Sequence, residues 1–132
     1  MQMSHIFAVE STGLGNTRLR LDGDSTSVRS AEMAMWVGAI EFDLRLGEVR
    51  SVKEKRSIVR PLIADVRRKF MISVAEVDHL DLHRRAGLGV ALVSPDRAHL
   101  VEVLDAVERL IAYRPEVELL SARRTLSHPA VD

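Results

Sequence analysis

An alternation of apolar and mixed positions constrains this chain more than any other feature. Trp36, Gly38, Ile40, Phe42, Leu44 and Leu46 interleave with Val37, Ala39, Glu41, Asp43 and Arg45. Successive strand side chains point to opposite faces, so this run predicts a strand with one buried face. Gly47-Glu48-Val49-Arg50 reads as a loop. Ser51, with Glu54 three places on, then forms a capping box: the serine oxygen takes an orphan amide and the glutamate reaches back. The helix it opens is expected to run to about Phe70, with Val59, Leu62, Ile63, Val66 and Phe70 on one face. Pro61 lies inside it and removes the bond to the Ser57 carbonyl, which predicts a kink or a locally opened turn.

The second half repeats the logic. Residues 72–77 and 88–93 predict two further strands, joined by ten residues that carry polar and charged groups, as suits a long hairpin connection. Ser94-Pro95-Asp96 supplies an N-cap, a proline at the first helical position and an acid in the first turn. Leu100, Val101, Leu104, Val107, Leu110 and Ile111 form the buried stripe of a second helix. Asp105 and Arg109 are spaced for an ion pair on its wet face. Tyr113-Arg114-Pro115 ends it, and residues 117–126 predict a last strand. The order is βαββαβ. Two right-handed crossovers joined by a hairpin give an α+β, ferredoxin-like arrangement: an antiparallel four-stranded sheet with two helices on one face.

At 132 residues the chain has room for one domain, and 46% hydrophobic residues suffice for its core. Nineteen basic and nineteen acidic residues balance, so no global field draws the chain to nucleic acid or membrane. There are no cysteines, which removes disulfides, thiolate metal sites and cysteine nucleophiles. No apolar run approaches the ~20 residues of a membrane span, and the first residues lack the pattern of a secretory signal. The expectation is a cytoplasmic protein. Residues 1–34 are rich in Ser, Thr and Gly and show little periodicity. They are expected to be a flexible extension, or to precede a true start at Met33 or Met35. The folded domain is expected over 35–126, with 127–132 as a tail.

Over 35–126 the chain resembles the YlxP family of bacterial proteins, a domain of unknown function. The resemblance rests on Trp36-Val37-Gly38, on Ser51-Val52-Lys53-Glu54-Lys55-Arg56 and on Ser73-Val74-Ala75-Glu76-Val77-Asp78. It continues through Asp81-Leu82-His83-Arg84-Arg85-Ala86 and Leu88-Gly89-Val90-Ala91. It implies a ferredoxin-like fold and no established activity. Genes of the family tend to lie beside those for translation initiation factor two and ribosome-binding factor A. The resemblance therefore implies an association with the small ribosomal subunit.

Three features are candidates for function. On the first helix, Lys53, Arg56, Arg60 and Arg67 fall within a sector of roughly 60° beside the apolar face. Residues 50–69 hold eight basic groups against two acids. That stripe suits phosphate contacts to ribosomal RNA, or to a small-subunit component, and its plain alternative is a solvated helix face. The outward positions of the first strand carry no aromatic rings, so any RNA contact is expected to follow charge and shape without reading bases. No DNA or membrane partner is expected. The second feature is Glu76, Asp78, His79, Asp81 and His83, whose residue types suit a metal or acid–base chemistry. His79 and His83 fall in a hairpin, where their spacing does not converge, so we expect a solvated polar loop whose acids pair with Arg84, Arg85 or helix-one bases. No catalytic residue, metal or cofactor is expected. His5, His99 and His128 read as surface residues. The third feature is the bare sheet face, where Val37, Ala39, Ala75, Val77, Ala91 and Val93 are expected to line up and favour a homodimer. The sequence thus supports a non-enzymatic binding factor, with a dimeric interaction module second and a metal-dependent enzyme third.

Overall fold

The computed structural model describes residues 35–128. The 1–34 extension and the end of the 127–132 tail lie outside the described residues. The domain contains β1 (Trp36–Leu46), α1 (Val52–Phe70), β2 (Ser73–Asp78), β3 (Arg85–Ser94), α2 (Arg97–Ala112) and β4 (Val117–Ser127), in that order. The four strands form one antiparallel sheet in the order β2-β3-β1-β4. This is the ferredoxin-like α+β fold.

The period-two pattern of β1 decides which face meets the helices. Ile40, Phe42, Leu44 and Leu46 are almost wholly buried. They pack with Val59, Leu62 and Val66 of α1 and Leu100, Leu104, Val107 and Ile111 of α2. Each such side chain removed from water contributes roughly 1.5–3 kcal/mol. Gly38 lets α2 approach β1 closely, since a Cβ there would stand 2.5 Å from Leu100 Cδ2.

The helix ends show how local chemistry sets the boundaries. Ser51 caps α1, its Oγ accepting from the Glu54 amide at 3.1 Å. The Glu54 carboxylate reaches one residue further back than a standard capping box and accepts from the Arg50 amide at 2.6 Å. Helix α1 runs through Pro61 without interruption. Pro61 is on the exposed side, where water can replace the missing bond. The cap of α2 is Asp96 and not Ser94: its carboxylate accepts from the Ala98 and His99 amides at 3.0 and 3.3 Å. One carboxylate satisfies two orphan amides there. Ser94 instead ends β3 and accepts from the Asp96 amide at 3.0 Å. Strand β3 begins three residues earlier than the apolar run suggests, because Arg85, Ala86 and Gly87 pair with Arg45, Leu44 and Asp43 of β1.

Candidate nucleic-acid interface

Lys53, Arg56, Arg60 and Arg67 are all exposed along α1. With a rise of 1.5 Å per residue, the first and last lie roughly 21 Å apart along the helix axis. They do not form one uniform stripe. Arg67 turns toward the sheet margin, and its Nη2 donates to the Val74 carbonyl of β2 at 2.5 Å. Lys53, Arg56 and Arg60 have no hydrogen bond or ion pair with any described residue. Of the cations in the last turn of α1, Arg68 pairs with Asp65 at 2.6 Å and Lys69 lies over the Phe70 ring. Elsewhere, arginines are neutralised across the sheet and helix layers. Arg45 pairs with Glu118, Arg85 with Asp43, Arg114 with Asp65, Arg123 with Glu41, and Arg124 with Asp105 and Glu108. Asp105 therefore reaches across to β4 and not along its own helix to Arg109. A balanced total charge thus coexists with a patch on the first half of α1 that no described carboxylate compensates.

Lys55 is one of the eight basic groups of this run but no part of the stripe, and the structure buries it. Its side chain is only 1% exposed. The ammonium lies 2.9 Å from Glu76 Oε2, and donates to the His79 carbonyl at 2.9 Å and the Arg85 carbonyl at 3.1 Å. Two hydrogen bonds to carbonyls and one close ion pair thus surround the ammonium. A buried charge so paired fastens α1 to both arms of the β2–β3 hairpin. The signal was present in the spacing: Lys55 precedes Val59 by four and Leu62 by seven residues, which puts it on the buried face.

That fastening shapes the hairpin. His79 adopts a left-handed backbone, φ 59°, with its amide donating to Asp78 Oδ1 at 2.7 Å. Its carbonyl faces Lys55, while its ring lies on the opposite side of the sheet, with Nε2 3.4 Å from Asp43 Oδ1. Arg85 grips the same carboxylate through Nε at 3.2 Å and Nη2 at 2.6 Å. The hydrogen bonds from Arg85 hold the Asp43 carboxyl below its ordinary value, against the opposing effect of partial burial; the charges of Arg85 and His79 act in the same direction. The expectation that His79 is a solvated loop residue is therefore corrected: it is half-buried on Asp43, whereas Asp81 and His83 are exposed. His128 is likewise half-buried, stacked edge-on against Trp36 at 4.3 Å. Among the described residues no three His, Asp or Glu side chains converge as a metal site. Asp43, Asp78, His79, Glu41, Ser121 and Arg123 instead rim a shallow cleft of about 290 Å³ on the open sheet face. Gly87 floors it, and a Cβ there would stand 2.6 Å from Asp78 Cβ.

The open face otherwise carries the small side chains the alternation predicts. Ser73, Ala91, Ala39 and Thr125 form one row across the four strands, and Val93 is 60% exposed. Among the described residues no aromatic ring stands on it for base stacking.

The fold defines a ferredoxin-like α+β domain with a basic helix and a sheet face on which no described helix packs. The chain belongs to the family described as "Protein of unknown function (DUF503)", whose model matches residues 37–124. It is 30% identical over 82 residues to the "Uncharacterized protein YlxP" of Bacillus subtilis (strain 168), a match covering 62% of this chain and 89% of that one. Among solved structures, the de novo designed protein Foldit4 matches with a TM-score of 0.42 and 14% identity, over 69% of this chain and 96% of the design. That likeness is too loose to bear on function. Among the described residues no helix is long and apolar enough to cross a membrane.

Proposed function

We propose that the domain is a non-enzymatic RNA-binding factor that contacts phosphates through the exposed face of α1. The observation that carries this reading is the contrast in charge use: Lys53, Arg56 and Arg60 have no partner among the described residues, while the arginines of the sheet are largely matched to carboxylates. Free cations release counterions from a phosphate backbone without first losing an internal partner. The three positions follow one helix flank at spacings of three and four residues, so their heads can track successive phosphates. The lack of stacking rings on the sheet makes the contact one of charge and shape. The family's implied association with the small ribosomal subunit directs the reading to ribosomal RNA over DNA.

The test is a salt titration of binding to small-subunit ribosomal RNA fragments. Three phosphate contacts imply a slope of log affinity on log salt of about −2 on single strands. Arg67, already tied to the Val74 carbonyl, contributes little to that slope. Arg56→Glu with Arg60→Glu is expected to weaken binding at low salt and flatten the slope. Arg109→Glu, an exposed change on α2, should leave binding nearly intact. Absence of salt-sensitive binding, or equal effects from both sets of variants, would refute the reading.

A further inference from the structure

Both lateral edges of the sheet end in a strand, and an edge strand presents amides and carbonyls that another chain can pair. The two edges differ. Strand β2 has six residues, carries the acids Glu76 and Asp78, and is distorted by a register shift between them. Arg67 already donates to one of its carbonyls. Strand β4 has eleven residues and is exposed along most of its length. Its charges are sorted by position, with Glu118 near the start and Arg123 and Arg124 toward the end. A parallel second copy would set like charge against like. An antiparallel copy sets acid against base.

Pairing must also keep each face of the sheet continuous. On the open face, Glu118, Ser121 and Arg123 lie beside Arg45, Asp43 and Glu41 of β1. On the helix side lie Val117, Leu119, Ala122 and Arg124, opposite Leu46, Leu44, Phe42 and Ile40, and Leu120 is the extra residue at the register shift. A two-fold axis between Leu120 and Ser121 satisfies both conditions. It sets Glu118 opposite Arg123 of the second copy on the open face, and Leu119 opposite its Ala122 on the helix side. The two irregularities then face each other at the axis, so neither offsets the other. A slip of one residue mixes the faces, and a slip of two leaves Glu118 opposite Ser121 or Thr125. Registers centred nearer the end of β4 set Arg123 and Arg124 against each other.

The open-face charges make this register self-complementary beyond one pair. Within one subunit Arg123 binds Glu41, and Glu118 binds Arg45 at 3.1 Å. Across the junction the row becomes Glu41, Arg123, then Glu118 and Arg45 of the second copy, with signs alternating throughout. The two-fold axis generates that row twice. We infer that β4 pairs with β4 of a second copy in this register, joining two sheets into one of eight strands. Leu120, 39% exposed, then comes opposite Ser121 of the second copy and diagonal to its own counterpart across the axis. The inference is independent of RNA binding, because α1 carries its free cations beside β2, at the opposite margin of the sheet.

An edge pairing of this length is small, so association in the weak, transient range is expected. Sedimentation equilibrium of the full chain over rising concentration should show monomers converting to dimers. Glu118→Arg and Arg123→Glu each place like charges opposite at two points of the symmetric junction, and each should weaken association by at least about tenfold. Both sites are exposed, so both chains should fold, which circular dichroism checks. An equimolar mixture of the two variant chains should regain dimerisation, since every cross-junction pair in the mixed dimer again unites opposite charges. Amide exchange over residues 117–124 should slow with concentration. A mass that stays monomeric, a dimer insensitive to both reversals, or a mixture no better than its components would overturn the inference.

Discussion

Replacing Lys55 with methionine tests what holds the hairpin to α1. Methionine keeps the length and apolar stem of lysine but removes the ammonium. It leaves the Glu76 carboxylate, 17% exposed, without its cation, and the His79 and Arg85 carbonyls without their donor. Breaking a buried ion pair by removing one partner costs roughly 3–5 kcal/mol, and each carbonyl left unsatisfied costs about 1–3 kcal/mol. These costs concern one cluster and do not add. Partial access of water to Glu76 brings the expected loss to about 3 kcal/mol, a drop in Tm of about 12–24 °C for a domain of this size. The assay is urea and thermal unfolding followed by circular dichroism, with exposed Lys53→Met as the reference, expected within about 0.5 kcal/mol of wild type. Adding Glu76→Leu to Lys55→Met removes the stranded carboxylate and should recover about half of the loss, since replacing both ions with apolar groups is often close to neutral. A loss below about 1 kcal/mol for Lys55→Met, or no recovery in the double variant, would refute the assignment of Lys55 as the hairpin's anchor.

Other expectations follow from the same geometry. Ser51→Ala removes the acceptor for the Glu54 amide and should cost about 1 kcal/mol in urea unfolding. Gly87→Ala drives a Cβ to 2.6 Å from Asp78 Cβ and 3.2 Å from its backbone, and should cost about 1–3 kcal/mol, read by the same method. The Asp43 carboxyl is depressed below 3.8 in the folded state. Its ion pair with Arg85 therefore contributes fully above that pH and is lost as the pH falls through the lowered value. The stability difference between wild type and Arg85→Met, measured by urea unfolding from pH 7 downward, should hold until about pH 4 and then shrink; a constant difference would refute the pairing.

The sequence by itself determined the element order and the buried faces. Period-two alternation along β1 and 3.6-residue spacing along both helices are local consequences of backbone geometry, and the Ser51–Glu54 cap is complete within a few residues. The outward positions Ala39, Glu41 and Asp43 were legible for the same reason, whereas Val37, expected beside them on the open face, is buried. The exposure of Lys53, Arg56 and Arg60 was legible too, because helical phase alone separates them from Val59 and Leu62. Their freedom from partners was not. It depends on which carboxylates lie near which arginines across strands far apart in sequence, as when Asp105 takes Arg124 and leaves Arg109. Lys55 shows the limit most sharply. Composition counts it as one more surface cation, but the hairpin fold brings Glu76 and two carbonyls onto its ammonium, and that convergence makes a buried charge tolerable. His79 meets Asp43 only because β3 sits between β2 and β1. Contacts of this kind are set by sheet order and register, and only the tertiary structure decides them.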